Sequence, residues 1–237
     1  MLKRLLPATA ALLTLSLLAA CGNEADNDEA VDPSTGASSE SEAAGEEPAA
    51  GGTTCDYPED GSEPAKEVEP PPAEATVSGT VDATISTNVG DIAVELDADG
   101  APCNVNNFVS LAEQGYFDDT ECHRLTTEGI YVLQCGDPTA SGMGGPGYTI
   151  PDEVDGSEKY GPGVLAMAKT SMPDSGGSQF FLVYADSGVL DPVYTEFGTI
   201  DEAGVKLLEE VAAKGTAEGG PDGAPKETVS ISGVTLD

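Results

Sequence analysis

The chain has 237 residues, with 43 Asp and Glu against 9 Lys and Arg, for a formal net charge of −34 at neutral pH. So acidic a chain repels a phosphate backbone, which excludes nucleic acid as an expected partner but says nothing about a reaction. A single histidine and the lack of any CxxC pair also argue against a zinc site.

In chain order, Lys3 and Arg4 precede an apolar run to Leu18 and small residues before Cys21, so residues 1–20 read as a secretory signal. The run is shorter than the roughly 18–20 residues that span a bilayer. Leu18-Ala19-Ala20-Cys21 has the form of a bacterial lipoprotein box, and Cys21 is expected to carry the lipid. That places the chain on the extracytoplasmic face of a cell membrane, in contact with the bilayer only through its anchor. Residues 21–75 are acidic and rich in Gly, Ala, Ser and Pro, with few large apolar side chains. They are expected to form a disordered tether, because they bury too little to offset their ordering entropy. Cys55, Cys103, Cys122 and Cys135 form an even set, which in an exported chain implies two disulfides and three possible pairings.

From Thr76 to the C-terminus there is enough chain for one domain with its own core. TVSGTVDATISTNVGDIAVELD alternates β-branched and polar residues about Asn88-Val89-Gly90-Asp91, which predicts a hairpin. Val105, Phe108, Leu111 and Ala112 recur at helical spacing, with Gly115 as the stop. Short strands are expected near 121–125, 130–135, 164–168, 179–184 and 194–200, separated by glycine-rich loops. Val205, Leu208, Val211 and Ala212 mark a second helix between Asp201 and Gly215, and TVSISGVTLD reads as a closing strand. The class is mainly β: a closed antiparallel barrel with two helices, since closure removes exposed edges.

Several candidate chemistries fail on inspection. Cys122 and His123 are neighbours in a strand and point to opposite faces, so they do not form a thiol–imidazole pair. Gly142, Gly144 and Gly147 match a dinucleotide fingerprint, yet Pro146 and Tyr148 lead into TIPDE and not into a helix. GGSQFF lacks the final glycine of a nucleophile elbow, and Asp152-Glu153 reads as a solvated turn. Arg124, inside an alternating strand and followed by Gln134, is either a surface ion pair or a functional cation.

Several motifs then agree in order. GDIAVELDADGAPCNVNNFVSLAEQGYFDDTECHRL, QCGDPTASGMGGPGY, GPGVLAMAKT, GGSQFFLVY and LDPVYTEFG together resemble the cyclophilin family of peptidyl-prolyl cis/trans isomerases, from about Val81 to the C-terminus. The resemblance implies a cyclophilin-like barrel that accelerates rotation about X–Pro bonds without metal or other cofactor. It implies proline-containing polypeptides as substrates, a monomer as the working unit, and, with the lipoprotein signal, a role in folding exported proteins.

Residue by residue, the resemblance makes Arg124 the catalytic position and His123 a support beside it. It makes Gln134 and Gln179 substrate-holding amides, and Phe181 the floor of the proline pocket with Leu190 and Tyr194 around it. Ala168 and Lys169 fall on the segment whose backbone meets the peptide. Tyr131 and Val132 fall on a pocket aromatic and its apolar neighbour, with Ile130 as the alternative to Tyr131, because the interval from Arg124 to Gln134 is two residues longer than usual. Lys169 replaces the usual Asn, and Val189 stands where many eukaryotic members have Trp, which weakens the expectation of tight cyclosporin binding. The expected pairing is Cys103–Cys122, linking the first helix to the Arg124 strand, and Cys55–Cys135, pinning the tether to the barrel. A non-catalytic peptide-binding or chaperone lipoprotein is the alternative reading.

Overall fold

A hairpin of β1 (Thr80–Thr87) and β2 (Gly90–Asp97) begins the folded domain, in a computed structural model that describes residues 52–237. Ile92, Val94 and Leu96 turn inward from β2 while the residues between them face solvent, as strict alternation requires. Eight further strands follow: β3 (Thr120–Glu121), β4 (Arg124–Thr126), β5 (Val132–Cys135), β6 (Val164–Met167), β7 (Phe180–Val183), β8 (Glu196–Ile200), β9 (Asp222–Gly223) and β10 (Ser230–Leu236). Together the ten form one antiparallel sheet in the order β3-β10-β1-β2-β8-β6-β7-β5-β4-β9.

The ladder has two ends, β3 and β9, so the sheet curls round the core as a half-barrel and its hydrogen bonds do not close into the ring expected from sequence. β3 and β4 are halves of one bent segment, Thr120–Thr126, broken at Cys122-His123, which runs from one end of the sheet to the strand next to the other end. The interior is filled by Ile85, Leu96, Leu125, Leu133, Leu165, Phe180 and Phe197, among others.

Helix α1 (Pro102–Glu113) and helix α2 (Glu202–Ala212) cover this core. The Asp201 side chain caps α2 by accepting from the Gly204 N–H at 2.7 Å. Helix α1 is buried nearly all round, including Asn104, Asn106 and Asn107. Its N-terminus is satisfied by Glu153, whose carboxylate accepts from the backbone N–H groups of Cys103 and Asn104, both at 2.9 Å. Asp152-Glu153 is therefore a structural pair and not the solvated turn expected from sequence.

The other side of α1 is covered by residues 52–75, which corrects the expectation that the tether runs unfolded to residue 75. Tyr57 and Val68 pack on the core, and Pro71 is buried. The Asn106 amide donates to the Tyr57 hydroxyl at 2.9 Å and to the Pro72 carbonyl at 3.0 Å. Lys66 Nζ donates to the carbonyls of Gly115 and Asp118, at 2.6 and 3.2 Å, where the end of α1 leaves acceptors free. A few anchors in an acidic background hold this strap, and the helix surface that receives it is what makes it fold.

The disulfides are Cys55–Cys103 and Cys122–Cys135, not the pairing expected above. Cys103 opens α1 on the side where the strap lies, while the register Arg124↔Gln134 brings the flanking Cys122 and Cys135 together. Residues 1–51, which hold the expected signal, Cys21 and the first part of the expected tether, lie outside the described residues.

Candidate active site

Register builds the site. Arg124 pairs with Gln134, Gln134 with Phe181, and Phe181 with Ala166, so one row of residues crosses β4, β5, β7 and β6. Partners in a ladder share a face. The alternate residues Leu125, Leu133, Leu182 and Leu165 fill the barrel interior, so the row must face outward. Outside, Val132, Tyr160, Ala166, Phe181 and Val183 form a second, smaller apolar cluster, with Ile130, Ala168, Leu190 and Tyr194 packed on it. A pocket of about 160 Å³ opens there, lined by Arg124, Ile130, Val132, Gln134, Ala168, Lys169, Phe181, Leu190 and Tyr194.

Aromatic contacts fix the floor. Phe181 and Tyr194 meet edge to face at 5.5 Å, and Tyr160 lies beneath with its ring 6.0 Å from that of Tyr194. The Tyr160 hydroxyl donates to the Tyr194 carbonyl at 3.0 Å and accepts from the Tyr194 N–H at 2.9 Å, so it holds the backbone of a wall residue. Sequence reading missed Tyr160, which stands in the unmarked stretch SEKYGPG.

The polar side of the pocket is a directed chain of hydrogen bonds. Arg124 Nη1 donates to Gln134 Oε1 at 3.3 Å, Gln134 Nε2 to Gln179 Oε1 at 2.8 Å, and Gln179 Nε2 to the Gly144 carbonyl at 3.0 Å. Both glutamines are thereby held with a known amide orientation. On its other edge Arg124 meets Asp222, Nε to Oδ1 at 2.8 Å and Nη2 to Oδ2 at 2.7 Å. These bonds from Arg124 hold the Asp222 carboxyl below the usual range. Asp222 was absent from the residues singled out in the sequence, because it lies 98 positions from its partner.

Beyond Gln134 a second cavity of about 240 Å³ continues under the glycine loop, sharing Gln134, Ala168 and Lys169 with the pocket. This loop does surround an anion, but the anion is the chain's own Asp137. Its buried carboxylate accepts from the backbone N–H groups of Thr139, Ser141, Gly142, Met143 and Gly144, at 2.7–3.1 Å. Burial opposes the charge, yet these bonds and those from the Thr139 and Ser141 hydroxyls bring Asp137 down to about 2. A Cβ on Gly144 would lie 2.0 Å from Asp137 Oδ1, so the second glycine of the string is required by this internal contact.

Eight of the ten predicted site residues line the pocket and Gln179 lines the adjoining cavity; Tyr131 lines neither. Its ring packs toward the interior against Tyr184, with centroids 5.9 Å apart, and Ile130 takes the wall position. The longer β4–β5 connection closes through a bridge between Glu128 and Ile130 about Gly129, and this sets which side chain faces out. Lys169 turns its ammonium away to pair with Asp152, both largely buried. His123 is half-buried, and both its ring nitrogens are buried without a partner; that burial lowers its pKa.

The sequence of residues 81–236 matches the profile of the cyclophilin type peptidyl-prolyl cis-trans isomerases. The chain belongs to this family. Relatives named probable peptidyl-prolyl cis-trans isomerase B occur in Mycobacterium leprae and Mycobacterium tuberculosis. The first is 45% identical over 202 residues, covering 78% of this chain and 68% of its own. The second is 42% identical over 201 residues, covering 78% and 65%. The chain thus spans about two thirds of these mycobacterial proteins. A crystal structure of a Cryptosporidium parvum cyclophilin type isomerase superposes with a TM-score of 0.60 at 29% identity, over 67% of this chain and 98% of that one. The same isomerase solved in the presence of the dipeptide Ala-Pro gives a TM-score of 0.58 at 30% identity, over 66% and 98%. The cyclophilin fold read from the motifs is thereby established, as is membership of a family of prolyl isomerases.

Proposed function

We propose that this cyclophilin isomerises X–Pro bonds with Arg124 as its catalytic residue, on the extracytoplasmic face of a membrane to which Cys21 anchors it. The observation that carries the catalytic reading is the row Arg124–Gln134–Phe181, which sets a fixed cation beside an apolar pocket on one face of the sheet.

Rotation about an X–Pro bond must cross a barrier of roughly 18–20 kcal/mol set by amide resonance. In the twisted state conjugation is lost and the proline nitrogen regains a lone pair. A donor aimed at that nitrogen binds the twisted form better than the planar one, as catalysis by differential binding requires. Arginine suits the task because it is always charged and only donates. The proline ring rests on Phe181 and Leu190, Gln134 holds the peptide backbone on one side of the rotating bond, and the apolar walls strengthen the Arg124 hydrogen bond by excluding water.

In the cell, such activity would accelerate proline steps of tens to hundreds of seconds in exported chains. Support comes from the signal-like residues 1–20, the cysteine at their end, and two disulfides suited to an oxidising compartment. The test of the catalytic reading is isomerisation of an Ala-Pro peptide by the full chain against Arg124→Ala with folding verified. A loss of roughly 10²–10³-fold in rate is expected for removing one transition-state donor. Unchanged activity in the variant would refute the assignment. For the anchor, Cys21→Ser should abolish incorporation of labelled palmitate and release the protein from membranes; retention of both would refute it.

A further inference from the structure

Three of the five N–H donors of Arg124 are engaged, two by Asp222 and one by Gln134, so two remain for a substrate. Asp222 and Gln134 grip opposite edges of the guanidinium. The free donors are thus one N–H on Nη1 and one on Nη2, and bonds at both edges restrain the guanidinium.

Asp222 is itself held in place. It belongs to β9, which pairs with β4 through Thr126↔Asp222 and Leu125↔Gly223. The loop behind it is closed by Thr127 N–H to the Pro221 carbonyl at 2.8 Å, Ala217 N–H to the Ala224 carbonyl at 2.8 Å, and Thr216 Oγ1 to the Gly220 carbonyl at 2.7 Å. A short strand near the C-terminal end of the chain therefore presents one carboxylate to one side chain of the site. We propose that Asp222 is a positioning residue for the reaction, fixing the Arg124 guanidinium so that its two free donors face the proline pocket.

The exposure of the pair distinguishes this role from a structural one. The side chains of Arg124 and Asp222 are 39% and 52% exposed, and an ion pair so wet contributes little to folding. Loss of Asp222 should therefore act on the reaction and leave the fold as stable as before. Preorganised geometry, and not added attraction, is what the carboxylate supplies.

This inference rests on Arg124 being the catalytic residue, and a double-mutant cycle in the full chain separates the two. The variants are Arg124→Ala, Asp222→Ala and the double substitution, with Asp222→Glu as the conservative control, assayed on an Ala-Pro tetrapeptide. Asp222→Ala should keep the parental melting temperature, leave KM within twofold, and lower kcat roughly tenfold, a loss confined to the transition state. The double variant should be no slower than Arg124→Ala alone, because Asp222 acts only through Arg124. Asp222→Glu should recover part of the rate. In ¹⁵N spectra the Arg124 Nε–H signal should exchange faster with water in Asp222→Ala. Parental kcat in Asp222→Ala would overturn the proposal, as would losses that multiply in the double variant. An Arg124→Ala protein as active as the parent would instead overturn the catalytic assignment, and the positioning role with it.

Discussion

Cys122 is bonded to Cys135, two residues before Arg124 and one after Gln134, so a covalent bond joins the segments that carry the polar side of the pocket. The other disulfide, Cys55–Cys103, holds the strap to α1. With sequence separations of 13 and 48, chain-entropy estimates give about 3 and about 4 kcal/mol of stabilisation, respectively. The effects on function should run the other way. Replacing Cys122 and Cys135 by Ser should lower both the urea midpoint and the isomerase rate, whereas replacing Cys55 and Cys103 should cost more stability and less activity. Urea titrations and peptide assays of the two double variants would decide this; equal loss of activity in both would contradict it.

Ile130 and Tyr131 are adjacent and do different work. Ile130→Ala removes pocket wall, and loss of about 1 kcal/mol of apolar contact should raise KM roughly fivefold with little change in melting temperature. Tyr131→Ala removes a ring packed on Tyr184 and should destabilise the fold by about 1–3 kcal/mol while leaving KM near its parental value. Kinetics and thermal melts on the pair would expose a reversed assignment.

Asp137 organises the glycine loop from within. In Asp137→Asn one carboxylate oxygen becomes a donor facing backbone donors, and the loss should reach roughly 2–4 kcal/mol. The native carboxyl titrates at about 2, below the ordinary 3.8, so the folded state releases this proton more readily than the unfolded one. Its contribution is complete above about pH 4 and is lost as pH falls through about 2. Acid unfolding curves of the parent should therefore fall more steeply across that window than those of Asp137→Asn.

His123 gives a second pH signature at milder acidity. Burial lowers its pKa from 6.5, so the unfolded chain binds a proton that the native chain does not. Stability should accordingly decline as pH drops below about 6.5, and the slope should vanish in His123→Phe. Chemical denaturation at pH 7.5 and 5.5 would measure it; equal slopes in the two proteins would show that the imidazole is not the source.

Most of this was legible in the residues because alternation is strong where strands are long. β1, β2 and both helices fall where periodicity places them, and Arg124, Gln134, Gln179 and Phe181 stand in motifs that survive as strings. What escaped was long-range. Asp222 reaches Arg124 only after a two-residue strand pairs with β4, and no local pattern announces so short an element. The strap was hidden by its composition, since Cys55, Tyr57 and Lys66 act through a helix surface that exists only in the folded domain. The disulfides followed register, which cannot be counted from cysteine spacing. Ile130 replaced Tyr131 because a longer turn shifts which residue faces outward, and a shift of one position reverses the face.

β1 lies between β2, its immediate successor, and β10, the last strand of the chain, with Ile85 opposite Ile92 on one side and Val234 on the other. The first strand made therefore waits for the last. Until Ser230–Leu236 docks, the sheet is open along β1 and β3 has no partner, so the barrel cannot set before this segment is in place. The domain is fastened by its most distant pairing, and a strand early in the fold stays half-dressed until a late one reaches it.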